Sequence, residues 1–178
     1  MARTVILRIG HRVFRDSRVT THVCLTARAL GADGVIIADY EDKVVESTIR
    51  DVTKRFGGPF QVQSGISWRK AVREWKASGG RIVHLTAYGL PLPKIIPEIQ
   101  DMTYDMMVVV GSEKMPGKIF KMADWNVSVT SQPMSEVAAL AVFLDWYNGH
   151  RAFEHEFSEA KLRIVPSREG KEIRQISD

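Results

Sequence analysis

Basic side chains crowd the first 22 residues: Arg3, Arg8, His11, Arg12, Arg15, Arg18 and His22, with Asp16 the only acid among them. Guanidinium groups orient phosphates and stabilise negative charge developing on an oxygen, while their high pKa makes them poor general bases. Such a cluster suits nucleic acid contact, structural ion pairing or a small anion, and composition leaves all three open. Aromatic residues do not alternate with the basic ones, so the pattern is not a base-stacking platform for single strands.

Three other segments have the small residues that let a backbone approach a ligand: Thr86 to Gly89, Gly111 to Gly117, and Asn126 to Gln132. At the carboxyl ends of parallel strands they would shape a pocket for an adenine nucleoside, or serve as plain connections. Other chemistries fail on spacing. Between Gly111 and Gly117 lie five residues, and Ile119 follows Lys118, whereas a phosphate loop needs four and then Ser or Thr. A dinucleotide-binding G-x-G-x-x-G turn is lacking. His150 and His155 are five apart and miss the zinc protease spacing, so no metal is expected. Cys24, in an apolar helical pattern without a neighbouring base, reads as a packing residue.

The elements that must position these groups follow from periodicity. Thr4 to Ile9, Gly34 to Asp39, Phe60 to Gln63, Arg81 to Leu85, Met106 to Val110 and Asn126 to Thr130 read as strands. Helices are expected from a cap at Thr20 or Thr21 to Gly31, around Val44 to Phe56, and over Lys94 to Ile99. Another runs from about 133 to 147, with Pro133 in its first turn. Trp68, Ala71, Val72 and Trp75 recur at helical spacing, which makes both tryptophans core residues. Leu162 to Val165 and Glu172 to Ile176 flank a Pro-Ser-Arg-Glu-Gly turn and predict a terminal hairpin, weak unless it packs on the body or on a second subunit.

Alternating strands and helices in 178 residues predict one α/β domain with a mostly parallel sheet. No apolar run reaches the roughly 18 residues of a membrane span, and the first residues alternate in polarity rather than forming a secretory segment. A cytoplasmic location is the default expectation. A net charge of +4 biases the chain only modestly toward anionic partners.

The stretch from Gly10 to Ala32, beginning Gly-His-Arg-Val-Phe-Arg-Asp-Ser-Arg, resembles the archaeal tRNA ribose 2'-O-methyltransferases that act on cytidine 56, members of the SPOUT superfamily. The likeness continues through His84-Leu-Thr-Ala-Tyr-Gly89, Val110-Gly-Ser-Glu-Lys-Met-Pro116 and the run from Asn126 to Asp145. It spans nearly the whole chain in order. One departure lies in the third motif, where Ser131-Gln-Pro-Met134 stands for Asn-Gln-Pro-His.

That resemblance implies a SPOUT-type α/β knot over residues 1 to 178, with a deep trefoil knot, and a homodimer served by the hairpin at 161 to 176. It implies S-adenosyl-L-methionine as cofactor, held by Leu85, by Gly111, Ser112, Glu113, Lys114 and Met115, and by Val129, Thr130, Ser131, Gln132, Pro133, Met134, Ser135 and Glu136. It implies as substrate the ribose 2'-hydroxyl of cytidine 56 in the T-loop of tRNA. Related bacterial enzymes carry an Asn and Arg motif near the reaction. Here the asparagine is missing, and Arg18 is taken as the catalytic residue with Arg15 second. Arg12, Arg15 and His22 are assigned to RNA. A base methyltransferase with the same knot and a noncatalytic RNA-binding protein are the alternatives.

Overall fold

The computed structural model describes residues 2–101, 103–111 and 115–176. In chain order its elements are β1 (Thr4–Ile9), α1 (Val13–Ala29), β2 (Gly34–Ala38), α2 (Lys43–Phe56), β3 (Gln61–Ile66), α3 (Trp68–Ala77), β4 (Arg81–Pro91) and α4 (Leu92–Gln100). There follow β5 (Met106–Gly111), α5 (Gly117–Met122), β6 (Trp125–Ser128), α6 (Glu136–Tyr147), a 3-10 turn at Ala152–Glu154, and the strands β7 (Leu162–Val165) and β8 (Glu172–Gln175). Every side chain of β1 is buried, as a strand covered on both faces must be. It lies inside a parallel sheet of order β3-β2-β1-β5-β4-β6.

Strand alternation divides the core in two. Ile6, Val83, Val108 and Val127 face α1, α2, α4 and α6. Leu7, Ile82 and Val109 face α3 and α5, where Trp68 is buried and the half-buried Trp75 packs beside it, so both tryptophans belong to the core. The expected hairpin is present, with β7 and β8 antiparallel.

Helix α1 starts at Val13, well ahead of the threonines expected to cap it. Thr20 lies buried within the helix with its hydroxyl 2.9 Å from His11 Nδ1, and Thr21 Oγ1 donates to the Ser17 carbonyl at 2.8 Å, so neither is a cap. Asp16 takes over the start, accepting from the Arg12 N–H at 3.1 Å and from Arg12 Nε at 2.9 Å. Helix α6 starts at Glu136, with Ser135 Oγ accepting from the Val137 N–H at 3.2 Å, which leaves Pro133 in the preceding loop. The six residues of α5 are too few to display a helical period, and the sequence showed only a polar loop before them.

Strand β4 also runs beyond the expected Leu85. Leu85 and Leu90 both stand opposite Val127 of β6, so residues 86–89 loop out between them. Here the chain passes itself closely: a Cβ on Gly89 would lie 2.5 Å from the backbone C and O of Asn126 and the N of Val127.

Much of the basic N-terminal motif is scaffold. His11 Nε2 lies 3.1 Å from Asp42 Oδ2, which also accepts from Ser17 Oγ at 2.7 Å, and Asp42 Oδ1 caps α2 through the Val45 N–H at 3.0 Å. Glu46 accepts from the N–H and hydroxyl of Ser64 on β3 and pairs with Arg50. Burial pushes both carboxyls up, but donors to Asp42 from Val45, Ser17 and His11, and to Glu46 from Ser64, Lys43 and Arg50, hold both below their ordinary values. Each group thus adds stability above its unfolded pKa of about 4, and that stability is lost as pH falls through the lower folded value. Urea midpoints are expected to fall below about pH 4, and the acid limb to be shallower in a D42N/E46Q variant.

Candidate active site

A cavity of about 1250 Å³ opens at the carboxyl ends of β1, β4, β5 and β6, the edge where parallel sheets bind ligands. Leu85, Val110, Val127, Val129 and Ala139 give it apolar walls, and Thr86, Ala87 and Tyr88 enter from the loop-out of β4. Phe120 of α5 completes one side. Its placement follows from a chain of contacts: His84 Nδ1 lies 2.8 Å from Asn126 Oδ1, Asn126 Nδ2 donates to the Phe120 carbonyl at 2.9 Å, and the His84 and Phe120 rings meet edge-on. Burial lowers the His84 pKa, and the ring ties β4 to β6 as a neutral group.

Of the residues assigned to the cofactor, Leu85, Gly111, Met115, Val129, Thr130, Gln132, Pro133, Met134 and Glu136 line this cavity. Ser131 and Ser135 do not line it, and the Ser135 hydroxyl caps α6. Ser112, Glu113 and Lys114 lie outside the described residues. A Cβ on Gly111 would meet only the flexible end of the Met115 side chain, which lies against this glycine. The loop after β6 is tied to itself, with Ser128 Oγ donating to the Thr130 carbonyl at 2.6 Å and the Gln132 N–H donating to Thr130 Oγ1 at 3.2 Å.

Three arginines reach the cavity, and their partners differ. Arg8, 1% exposed on β1, pairs through Nη2 with Glu136 Oε1 at 3.0 Å and donates weakly from Nη1 to the Ile9 carbonyl at 3.3 Å. Burial lowers its pKa, opposed by Glu136 and Asp16, and an arginine so placed stays charged. Arg12 pairs with Asp16, whose carboxyl it holds below its ordinary value by hydrogen bonding. Arg15 lines the cavity and makes no ion pair among the described residues.

Arg18 and His22 are exposed on α1 and do not line the cavity. The helix explains the split: Arg12, Arg15, Asp16 and Val19 share one face, and Arg18 points about 60° to the far side of Arg15. Within one chain, Arg15 lines the cavity and Arg18 does not. Sequence reasoning missed Arg8 as a site residue, although a charge at an inward position of a buried strand signals one. Cys24 is buried with its thiol pushed up to about 12, consistent with packing. Among the described residues no group of His, Cys, Asp or Glu converges to hold a metal ion, and no helix is long and apolar enough to cross a membrane.

Comparison with known proteins decides the family. Residues 56–174 match the family model described as tRNA ribose 2'-O-methyltransferase, aTrm56. The chain belongs to that family. Proteins named tRNA (cytidine(56)-2'-O)-methyltransferase resemble it over almost all their length. One from Methanoregula boonei is 53% identical, with 97% of each chain covered. Another from Methanopyrus kandleri is 50% identical, covering 98% of this chain and 97% of its own. Among solved structures, an RNA 2'-O ribose methyltransferase matches this aTrm56-family chain with TM-score 0.62 and 17% identity, covering 84% of this chain and 57% of the other. A SpoU methyltransferase, AviRb from Streptomyces viridochromogenes, in complex with the cofactor AdoMet matches with TM-score 0.57 and 18% identity over 84% and 58%. The chain thus spans a little over half the length of these two structures, and at such identities the likeness establishes the SpoU-type SPOUT fold.

Proposed function

We propose that this chain transfers a methyl group from S-adenosyl-L-methionine to the ribose 2'-hydroxyl of cytidine 56 in the T-loop of tRNA. The carrying observation is one cavity that joins apolar walls to three arginines, of which Arg15 alone has no acidic partner among the described residues. Leu85, Val127, Val129 and Ala139 offer surface for an adenine ring, and Gly111 lets the backbone approach the nucleoside. When bound, the cofactor supplies an electrophilic sulfonium methyl group. Transfer to the ribose oxygen would give the 2'-O-methyl ether, S-adenosylhomocysteine and a proton released to solvent, with Leu85, Val110, Gly111, Val127, Val129 and Ala139 as the residues that would hold the cofactor.

Arg15 orients the acceptor phosphate and stabilises the charge developing on the ribose oxygen, while Arg8 and Arg12 hold Glu136 and Asp16 at the rim. Arg15→Ala is expected to lower kcat by about 100-fold, with cofactor affinity by calorimetry unchanged. Arg12 and His22 contribute tRNA contacts, and so does the exposed Arg18.

The same reading takes residues 1 to 178 as one catalytic domain acting in the cytoplasm, with a trefoil knot. It also includes a homodimer. Phe14 on α1 is fully exposed, and Ile164 and Ile173, opposed in the hairpin, are 66% and 57% exposed. Sedimentation giving the monomer mass would exclude the dimer.

The function is tested by supplying labelled cofactor and unmodified tRNA. Label retained in an alkali-resistant dinucleotide supports ribose methylation, whereas label in an alkali-sensitive nucleotide points to a base methyltransferase. Absence of transfer with tRNA bound would favour the noncatalytic alternative.

A further inference from the structure

Helices α3 and α5 cover the side of the sheet away from α1, α2, α4 and α6, and their outer surface is cationic. Arg69, Arg73 and Lys76 recur at the i, i+4, i+7 spacing that aligns them along one stripe of α3, beside the face that buries Trp68 and Val72. Lys118 and Lys121 are exposed on α5, which has no acidic residue. The two helices are neighbours, since Ile119 packs with Trp68 and Val72, and Lys76 Nζ donates to the Met122 carbonyl at 2.8 Å.

Among the described residues, little neutralises these charges. Lys70 meets Glu74 only at 3.9 Å, and Lys76 approaches Asp124 at 3.5 Å. Arg69 stacks on the Trp68 ring at 4.8 Å, and Arg73, Lys118 and Lys121 have no acidic partner among the described residues. On the opposite side, α6 carries Glu136 and Asp145 and no lysine or arginine, α4 carries one charge of each sign, α2 intersperses Lys43, Arg50, Lys54 and Arg55 with Glu46 and Asp51, and α1 carries the basic stretch already described. The surface also begins at the active cavity, because Phe120 lines that cavity between Lys118 and Lys121 on the same short helix.

We infer that the α3 and α5 surface is a docking track for the phosphodiester backbone of the substrate RNA, separate from the basic stretch of α1. The inference rests on the tRNA reading above. Exposed, unpaired cations within a Debye length of about 8 Å act together on a polyanion, and their contribution is released by salt. The track reads no base, so it adds affinity and orientation and leaves the chemical step alone.

The test is tRNA affinity of the full chain as a function of KCl concentration, measured with an unmodified tRNA transcript. An R69A/R73A/K118A/K121A variant is expected to lower the slope of log Kd against log salt by about 3, with each phosphate contact worth 0.7 to 0.9. Between about 50 and 200 mM KCl, the parent's affinity would then fall about 60-fold more than the variant's. Affinity for S-adenosyl-L-methionine and kcat at saturating tRNA stay the same, and R69K/R73K/K118R/K121R, which keeps every charge, retains the parental slope. An unchanged slope in the alanine variant, with the parent still methylating tRNA, overturns the track alone. A parent that neither binds nor methylates tRNA overturns the track together with the reading beneath it.

Discussion

Gly89→Ala is expected to destabilise the fold by about 3 to 5 kcal/mol, a large effect for one methyl group. The added carbon would lie 2.5 Å from three backbone atoms of Asn126 and Val127, none of which can swing aside as a side chain can. Relief requires β4 and β6 to part where Leu90 and Pro91 pair with Val127 and Ser128. The same movement pulls Asn126 from His84 and Phe120, and with them one wall of the cavity. Thermal unfolding should shift down by on the order of 10 °C. Gly79, where an added Cβ meets nothing within 4 Å but φ is +88°, is a useful contrast. Gly79→Asn, which tolerates positive φ, should cost less than about 1 kcal/mol. Equal losses at both positions would remove the close passage as the cause.

The second large effect concerns Arg8 and Glu136, and its two halves are unequal. Glu136→Gln leaves a guanidinium buried at 1% exposure without its counter-charge, expected to cost about 3 kcal/mol. Arg8→Met leaves a carboxylate whose side chain is 25% exposed and can rehydrate, so about 1 to 2 kcal/mol follows. Both substitutions release the start of α6 from β1 and loosen the loop at residues 129 to 136, and loss of positioning there should lower kcat/KM by about 100-fold. An R8M/E136Q double variant is expected to be more stable than the two single losses added together, as measured by a double-mutant cycle in urea. Strict additivity would mean that the 3.0 Å contact contributes nothing.

Much of the sheet was legible because its strands are apolar runs bounded by turn residues, as in Val5 to Ile9 and Met106 to Val110. Helix starts were less so. Thr20 and Thr21 have the chemistry of caps, but tertiary partners use their hydroxyls, and a pattern along the chain does not reveal that His11 stands beside Thr20. For the same reason the basic motif left nucleic acid contact, structural ion pairing and anion binding open, and only the fold shows that His11, Asp16, Ser17 and Thr20 largely build the junction of β1, α1 and α2. The loops at 111 to 117 and 126 to 132 were visible as candidates, and the order of the motifs carried their assignment to a cofactor. Which arginine faces the cavity was not legible, since Arg15 and Arg18 differ only in helical phase. Arg8 was noted only as one of the basic cluster, because its acid, Glu136, is distant in sequence and meets it only through the fold.

The central claim is that the acceptor is one ribose hydroxyl, and a tRNA carrying 2'-deoxycytidine at position 56 tests it most directly beside the all-ribose tRNA. With labelled S-adenosyl-L-methionine, the all-ribose tRNA should yield labelled 2'-O-methylcytidine at that position, and the deoxy tRNA should bind with similar affinity and accept no label. Equal labelling of both would contradict the account and place the methyl group elsewhere on the RNA.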